Sequence, residues 1–244
     1  MKIIVLGDIH GRTCWKEIIE KENPDKVIFM GDYVSSHDNI PAYQQISNLE
    51  DIMKYKEAHN DDVIMLRGNH DCQHLEKGFE SCCFEPEVWI YMQDEKERFL
   101  KNTQWVYIYN DIIFTHAGIS QKFWNNCCLG DPTNEHILMI NNYPVNPSLF
   151  GFTPDSPFDY YGNSSCQPCT WIRPEALLSS HLEGRIQVVG HTRMKYPGEL
   201  LKYISKADKE KFNFTIPELW CVDALPDAYM VMNDDERMMK ILNQ

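Results

Sequence analysis

Polar side chains that bind metal ions recur beside glycine at five separate places in this chain. The five motifs are GDIHG (7–11), GDYV (31–34), GNHD (68–71), THAG (115–118) and GHT (190–192). Between them they supply the carboxylate, amide and imidazole groups of Asp8, His10, Asp32, Asn69, His70, His116 and His191. A lone histidine beside glycine is usually structural, and an aspartate after a strand is often a turn or cap residue. Because the pattern occurs five times, we interpret it as one shared site.

The donors fit a site for two divalent metal ions. Asp8 and His10 are two residues apart, so in extended chain their side chains point the same way and offer one cation an oxygen and a nitrogen. Asp32 has two carboxylate oxygens and is able to bridge two cations, which would offset the cost of burying its charge. Further donors are Asn69, His116 and His191. This mixed set of nitrogen and oxygen ligands, without thiolate, suits Mn, Fe or Zn.

Short apolar strands are predicted before three of the motifs. They are residues 2–6 (KIIVL), 27–30 (VIFM) and the apolar part of 62–71 (DVIMLRGNHD). Two helices are predicted between them. The first lies within 14–25 and ends before Pro24, and the second spans 41–59. Alternating strands and helices favour parallel strands joined by right-handed crossovers. The three motifs would then lie together at the carboxyl ends of the strands, where open α/β sheets bind ligands.

The second half of the chain predicts further strands and an insert. A hairpin is predicted over 105–118 (WVYIYNDIIFTHAG), with its turn at Asn110 and Asp111, because both residues tolerate positive φ. Residues 130–170, rich in Pro and Asn, predict a lid or insert with one short helix that begins near Asp131 and Pro132. The whole chain, 1–244, is interpreted as a single domain. Later strands are predicted in 185–192, 218–225 and 229–242, the last with a turn at 233–236.

Composition indicates a globular protein. Of the 244 residues, 43% are hydrophobic and 24% are charged. No apolar run reaches the roughly 20 residues of a membrane span, and the start MKIIVLGD lacks the features of a signal peptide. We therefore expect a cytoplasmic protein that does not bind membranes. The formal net charge of −13 and the lack of a basic stripe predict no nonspecific binding of nucleic acid.

Nine cysteines are present, including two adjacent pairs and one C-x-x-C motif: Cys82-Cys83, Cys127-Cys128, and Cys166 with Cys169. In a cytoplasmic protein, reduced thiols are the default. A structural zinc site at Cys166 and Cys169 needs two more ligands, and the sequence has no second C-x-x-C motif to provide them. The sequence alone assigns no role to the adjacent pairs.

As a set, the motifs resemble those of the calcineurin-like metallophosphoesterases. The order D-x-H, GD, GNH, H, GH runs from Asp8 to Thr192, over about three quarters of the chain. In detail, GDIHG, GDYV, LRGNHD, HAGIS and GHT are most similar to the branch that contains the phosphoprotein phosphatases and the bacterial diadenosine tetraphosphatases. The segment WIRPE (171–175) is also similar to one found in bacterial members.

The resemblance implies an α/β fold in which two mixed β-sheets pack face to face and are flanked by helices, a four-layer α-β-β-α sandwich. It implies one metal held by Asp8, His10 and Asp32, and a second held by Asp32, Asn69, His116 and His191. Mn is the expected metal, with Fe, Zn or Mg as alternatives. The implied reaction is in-line attack on phosphorus by a hydroxide that bridges the two metals. Asp32 and His70 are then the predicted catalytic residues, with His70 protonating the leaving oxygen.

One motif departs from this branch. The branch reads GDYVDRG, in which the second aspartate orients the general-acid histidine and the arginine grips the phosphate. This chain has Ser35 and Ser36 at those two positions, followed by His37. Such supporting groups tune a metal site strongly, and bidentate arginine contacts hold a phosphate in place. The departure therefore predicts either lower activity or replacement by other residues.

Several residues are candidates for the two missing roles. Asp38 or Asp71 would orient His70. Arg173 is the first candidate for binding the phosphate, followed by Arg193 and His37, and Asn69 is also predicted to contact substrate. Arg193 lies where many family members carry a second histidine that completes the first metal site, so its presence again matches the phosphoprotein phosphatase branch.

Three functions follow from the resemblance. The leading hypothesis is a phosphomonoesterase of the serine/threonine protein phosphatase type, acting on a phosphoprotein or a small phosphorylated metabolite. The alternative is a nucleotide, dinucleoside polyphosphate or phosphodiester hydrolase, which the missing arginine favours because diesters and anhydrides present fewer terminal phosphate charges. A third hypothesis is a non-catalytic scaffold with the same fold, but all six expected ligands and His70 are present, which argues against it.

Overall fold

The computed structural model describes residues 1–127, 129–154, 159, 162–194, 219–233 and 237–241. The strands in these ranges are β1 (Ile3–Leu6), β2 (Lys26–Phe29), β3 (Val63–Leu66), β4 (Thr103–Gln104), β5 (Val106–Tyr109), β6 (Ile112–Thr115), β7 (Ile186–Val189), β8 (Leu219–Cys221), β9 (Ala228–Met232) and β10 (Arg237–Ile241). The α-helices are α1 (Cys14–Glu22), α2 (Ala42–His59), α3 (Asn69–Leu75), α4 (Pro86–Asp94), α5 (Lys96–Asn102), α6 (Gln121–Cys127), α7 (Asn134–Leu138), α8 (Pro147–Phe150) and α9 (Pro174–Ser179).

The described strands form two mixed sheets. The first has the order β10-β9-β1-β2-β3-β4, in which β1 to β4 are parallel and β9 runs antiparallel to both of its neighbours. The second has the order β5-β6-β7-β8, with an antiparallel hairpin at one edge and parallel pairs beyond it. The predicted β-α-β opening is confirmed, because β1 and β2 are parallel neighbours and α1 joins them.

Alternation of side chains along β1 shows how the layers pack. Ile4 and Leu6 face a core shared with residues of α1, α2 and α4. Ile3 and Val5 point to the opposite face, where they join a second core that includes Phe114 of β6. Both faces of this sheet are therefore buried, as the continuous apolar run in β1 requires. The predicted arrangement of two facing sheets flanked by helices is confirmed.

The predicted hairpin is confirmed in its register and its turn. Val106 lies opposite Thr115 and Tyr109 lies opposite Ile112, so two residues connect β5 to β6. Those residues, Asn110 and Asp111, have φ angles of 47° and 62°. Positive φ at both positions matches the right-handed twist of the paired strands.

Near the carboxyl terminus, β9 and β10 pair in antiparallel fashion, as predicted for the last segment. Residues 234–236 of the predicted turn lie outside the described residues. No helix in the described ranges is both long enough and apolar enough to cross a membrane.

The segment 130–170 contains more structure than predicted. One short helix was expected near Asp131, and α7 begins at Asn134 after Thr133, whose side chain caps it. A second helix, α8, follows Asn146, whose side chain accepts a hydrogen bond from the backbone N–H of Ser148. The prediction of a single helix in this segment is therefore wrong. The helix α8 was missed because the Asn-Pro pair at its start is also common in turns. A lid function for this segment and the single-domain division both stay predictions.

Candidate active site

All five motifs meet at one end of the two sheets. Asp8, Asp32 and Asn69 follow the carboxyl ends of β1, β2 and β3, and His116 and His191 follow β6 and β7 in the facing sheet. Residues of the other four motifs border a cavity of about 540 Å³, whereas His116 is buried and does not line it. The lining residues are Asp8, His10, Arg12, Asp32, His37, Asn69, His70, Ser81, Cys82, Trp171, Arg173, His191, Arg193 and Asp223.

The first predicted donor group is brought together by a turn and not by extended chain, because the backbone at His10 is left-handed. Nε2 of His10 lies 3.9 Å from one carboxylate oxygen of Asp8 and 3.9 Å from one of Asp32. The other ring nitrogen of His10, Nδ1, lies 2.9 Å from the carbonyl oxygen of Val34. Because that carbonyl accepts the Nδ1 proton, Nε2 is left with a lone pair that faces the two carboxylates.

The second donor group approaches the same carboxylate oxygen of Asp32 as His10 does. Nε2 of His116 lies 3.3 Å from a carboxylate oxygen of Asp32 and 3.0 Å from the side-chain oxygen of Asn69. Nδ1 of His116 lies 2.8 Å from the carbonyl oxygen of Met30, which holds the ring in this orientation. Asp32 is therefore the residue that both donor groups share.

His191 completes the second group and gives an independent test of metal binding. Its backbone N–H donates to the carboxylate of Asp8 across 3.0 Å, although 183 residues separate the two. Its Nε2 atom is buried and has no hydrogen-bond partner in the described part of the chain. A buried, unpaired imidazole nitrogen that clusters with Asp32 and His116 is a ready ligand for a cation. The mixed oxygen and nitrogen donors thus fit divalent metal ions.

Shifted pKa values reflect the negative charge enclosed in this site. Burial raises the pKa of Asp8 well above its usual value, and the Asp223 and Asp32 carboxylates raise it further. Burial also acts to raise the pKa of Asp32, but the imidazoles of His116 and His70 outweigh it and hold that pKa below its usual value. For His116, burial acts to lower the pKa, but Asp32 and Asp8 raise it to about 10. The site therefore attracts positive charge, which a metal cation supplies in place of a proton.

The backbone is strained at three of the predicted ligands. The φ angles are 46° at His10, 51° at Asp32 and 63° at His191. Left-handed backbone costs a non-glycine residue about 1–3 kcal/mol and concentrates at functional sites. Close packing adds a second constraint, because a Cβ atom on Gly190 would lie 2.5 Å from a carboxylate oxygen of Asp8. Only glycine lets this loop approach the carboxylate so closely.

His70 stands beside both donor groups without belonging to either. Its backbone N–H donates to a carboxylate oxygen of Asp32 across 2.9 Å. Its ring lies 5.1 Å from the ring of His10, and the Ser81 hydroxyl lies 3.2 Å from its Nε2. Burial is the main reason that the pKa of His70 falls to about 4, and the positive charges of His10 and His37 when protonated contribute. The imidazole is thus neutral near pH 7 in the protein alone.

The orienting partner of His70 differs from the prediction. Asp71 accepts hydrogen bonds from the backbone N–H groups of Asp32, Tyr33 and Gly68, and so holds the loops together. Asp38 instead accepts a hydrogen bond from Nε of Arg12 across 2.7 Å.

Within the described residues neither of these carboxylates has a hydrogen bond to His70, so the prediction that one of them orients it is wrong. The contacts come from Ser81 and from the side-chain amide of Gln73, which lies 3.4 Å from Nδ1. Ser35, at the position of the missing aspartate, contacts His74 instead, at 3.0 Å. No motif in the sequence marks Ser81, which is why it was missed.

The candidates for phosphate binding all border the cavity. Arg173 donates through one nitrogen to the carbonyl oxygen of His191 and to the Thr192 hydroxyl, both at 3.2 Å. Arg193 is 54% exposed in its side chain and lies 4.0 Å from Asp38, so it has freedom to move. His37 is exposed at the cavity mouth.

Two further residues of this site were not predicted. Arg12, which directly follows the first motif, is 8% exposed and donates to the backbone carbonyl of Asp8 across 3.2 Å. Asp223 is buried, and burial is the main cause that raises its pKa to about 6, with Asp32 adding to the effect. It follows β8 just as the other acidic residues follow their strands. That shared placement after a strand was the signal that could have found it.

Comparison with known families identifies one match. The profile of the calcineurin-like phosphoesterases matches residues 1–192. This range contains all six predicted metal ligands, His70, and the loop that carries Arg173. A comparison with curated proteins finds no match.

Solved structures share the fold at low sequence identity. The cold-active protein-tyrosine phosphatase of a psychrophilic Shewanella species is 15% identical, with a TM-score of 0.64 over 99% of this chain and 78% of the other. A protein serine/threonine phosphatase from Saccharomyces cerevisiae, described as similar to human phosphatase PP5, is 14% identical, with a TM-score of 0.57 over 98% of this chain and 79% of the other. At these identities the likeness concerns the fold.

Proposed function

The chain belongs to the calcineurin-like phosphoesterase family and is a hydrolase that acts on phosphate esters, and on that premise we propose that it is a phosphomonoesterase that uses two divalent metal ions, of the serine/threonine protein phosphatase type. One observation carries the proposal. Asp32 belongs to two donor groups, one with Asp8 and His10, the other with His116 and His191. A carboxylate shared by two donor groups is the arrangement that a pair of cations requires.

The residues fit the roles that the family pattern suggests. Asp8, His10 and Asp32 would hold one cation, and Asp32, Asn69, His116 and His191 would hold the other. When bound, the two cations activate a water molecule and neutralise charge on the phosphoryl oxygens. The donor chemistry suits Mn, with Fe, Zn or Mg as alternatives.

The chain itself supplies the positive groups that would position the phosphate. Arg173 and Arg193 border the cavity from the same side as His191, and Arg12 lies behind Asp8. Guanidinium groups bind phosphate oxygens through short charge-assisted hydrogen bonds. A terminal phosphate carries more charge than a diester, so several guanidinium groups around one cavity favour a monoester.

His70 is the proposed general acid. As the bond between phosphorus and the ester oxygen breaks, the leaving oxygen takes a proton from the His70 ring, and the product alcohol departs. Since burial holds the pKa of His70 near 4 in the protein alone, the imidazole must take up a proton from solvent when the substrate binds. A bound phosphate dianion beside the imidazole raises its pKa and stabilises the protonated form.

The proposal is tested with a panel of substrates and the Mn-loaded protein. We expect turnover of p-nitrophenyl phosphate and of a phosphoserine peptide, with little turnover of bis-p-nitrophenyl phosphate or diadenosine tetraphosphate. Asp32→Asn should abolish turnover, whereas the exposed Asp61→Asn should not. Turnover of the bis-ester without turnover of either monoester would overturn the proposal and identify a diesterase.

Metal analysis tests the same proposal without relying on a substrate. We expect two Mn ions per chain after loading and dialysis, and a loss of both in Asp32→Asn because that carboxylate serves both donor groups. Removal of the metal with a chelator should abolish turnover, and added Mn should restore it. A protein that retains no transition metal after loading would instead support the scaffold hypothesis.

A further inference from the structure

A second group of metal-binding side chains lies at the mouth of the cavity. The ligand atoms of His37, Cys82 and Cys83 all lie within 4.8 Å of one another. Sγ of Cys83 is 3.5 Å from Nδ1 of His37, although the two residues are 46 positions apart. His37 is also exposed, as is Cys82, so solvent ions have access to the group. We call these three residues the rim cluster.

The backbone explains how two adjacent cysteines face the same point. In extended chain, neighbouring side chains point to opposite sides. At Cys83 the φ angle is 57°, a left-handed value that is uncommon outside glycine, asparagine and aspartate. This turn allows both thiols to approach His37. The arrangement costs backbone free energy of about 1–3 kcal/mol.

We propose that the rim cluster binds a thiophilic divalent cation of the zinc and cadmium class, separately from the cations held by Asp8, Asp32 and their partners. Two thiols and one imidazole are soft to borderline ligands, whereas the catalytic donors are carboxylate, amide and imidazole groups. The two sites therefore select different metals. Three protein ligands leave a fourth tetrahedral position, which the exposed mouth opens to water.

The charges around the thiols support a cation there. Burial is the largest cause that raises the pKa of the Cys83 thiol, and the neighbouring Cys82 thiol and the Glu85 carboxylate raise it further. These groups disfavour a second negative charge beside them, and a cation relieves that repulsion as it displaces the thiol protons.

Because the rim cluster lies at the substrate entrance, a cation bound there should affect catalysis. This consequence rests on the proposed function. Cys82 and His37 both border the cavity. The ring of His37 lies 4.8 Å from that of His10 and 5.5 Å from that of His70. A cation held at the rim ties His37 to the loop of Cys82 and narrows the substrate entrance. Zinc or cadmium at the rim is therefore an inhibitor, even when Mn occupies the catalytic site.

Cadmium titration of the Mn-loaded protein tests binding directly. Cadmium bound to thiolate produces an ultraviolet charge-transfer absorption that carboxylate and imidazole ligands do not produce. We expect this absorption to saturate at one cadmium per chain, to weaken in Cys82→Ser and in Cys83→Ser, to disappear when both are replaced, and to need at least tenfold more cadmium in His37→Asn. The control is Cys166→Ser, which removes a partly exposed thiol outside the rim cluster and should leave the absorption intact.

The proposal fails if the absorption persists when Cys82 and Cys83 are both replaced, or if Cys166→Ser abolishes it.

A second measurement uses the wild-type chain alone. Zinc should protect Cys82 and Cys83, but not Cys166, from alkylation, as read by peptide mass spectrometry. Equal protection of all three thiols, or of none, would also overturn the proposal.

The inhibitory consequence has its own readout. Zinc should inhibit the Mn-loaded wild-type enzyme and should inhibit Cys83→Ser at least tenfold less strongly, with equal turnover of the two proteins before zinc is added. Equal inhibition would overturn the inhibitory role. If no phosphate ester is turned over at all, the proposed function fails, while the cadmium titration still decides the rim site.

Discussion

The hydroxyl group of Ser81 lies 3.2 Å from Nε2 and 3.3 Å from Nδ1 of His70, so an uncharged side chain accompanies the proposed general acid. The same hydroxyl oxygen accepts a hydrogen bond from the side-chain amide of Asn69 across 3.2 Å. That bond turns the Asn69 carbonyl oxygen toward His116 and leaves the Ser81 proton to face the imidazole. A single serine thus connects a predicted metal ligand to the predicted acid. It provides no negative charge to stabilise a protonated His70.

His70→Asn should lower turnover while leaving metal binding intact. The backbone N–H that donates to Asp32 remains, whereas the ring that protonates the leaving oxygen is lost. We expect kcat to fall by about 10²–10⁴ for a phosphoserine peptide. The loss should be smaller for p-nitrophenyl phosphate, because its leaving group is stable without a proton. Equal losses for both substrates, or a loss of Mn, would contradict the acid role.

Ser81→Ala should lower kcat by roughly 10- to 100-fold, since it removes a group that positions His70 and Asn69. The exposed Ser148→Ala serves as the matched control. A merely structural role is distinguished by Ser81→Asp, which places a carboxylate beside His70. That charge raises the pKa of the imidazole, so the basic limb of the pH–rate profile should move to higher pH. An unchanged profile would remove Ser81 from this role.

Arg173→Ala should weaken binding of inorganic phosphate, measured as competitive inhibition. The loss of a charge-assisted hydrogen bond is worth about 1.5–3 kcal/mol, so the inhibition constant should rise at least tenfold. Arg173→Lys keeps the charge but not the planar fork and should give an intermediate value. Arg185→Lys is the control, because Arg185 bonds to Asn134 and the Pro132 carbonyl oxygen. A larger effect from Arg193→Ala would assign the phosphate to that residue.

Gly190→Ala should weaken Mn binding. The added Cβ atom meets the Asp8 carboxylate at 2.5 Å and must displace it. Since Asp8 also accepts from the His191 backbone, both donor groups are disturbed, and the Mn affinity should fall by roughly 10- to 100-fold. In Gly184→Ala the Cβ atom has no neighbour within 4 Å, but φ is 69°. That control should lose stability and keep its Mn affinity; an Mn affinity unchanged in Gly190→Ala would contradict the prediction.

Glu22 should make stability depend on pH in the acid range. It accepts hydrogen bonds from Tyr229 and Lys240 and pairs with Lys2 at 2.7 Å. Burial acts to raise the pKa of Glu22, but hydrogen bonds from Lys2, Lys240 and Tyr229 outweigh it and lower that pKa from 4.5 to about 2. A lowered folded-state pKa stabilises the protein above the unfolded value. We expect about 3 kcal/mol of stability to be lost between about pH 4.5 and pH 2.

The measurement is urea unfolding of wild type and Glu22→Gln at pH 7 and pH 3. The difference in unfolding free energy between the two proteins should shrink at the lower pH, because protonation removes the same charge that the substitution removes. The exposed Glu20→Gln, on the same helix, should track the wild type at both pH values. A constant difference between wild type and Glu22→Gln would show that the carboxylate does not carry this pH dependence.

Much of the fold was predictable because its signals are local. The strands β1 to β3 are short apolar runs that end near glycine, and the hairpin turn contains residues that accept positive φ. The helix α4 was not predicted, since its pattern merges with the charged residues at the start of α5. The strand β4 is only two residues long, Thr103–Gln104. Its extended conformation depends on pairing with β3 rather than on its own composition.

The sequence by itself determined the family and the predicted ligands, because metal binding demands particular side chains and those lie near glycine after five of the described strands. Only the tertiary structure decided that Ser81 accompanies His70, that Asp223 joins the site, and that the rim cluster exists. These relationships depend on where separate loops cross. Their distances follow from how two sheets and their connections pack, a property that no short stretch of residues encodes.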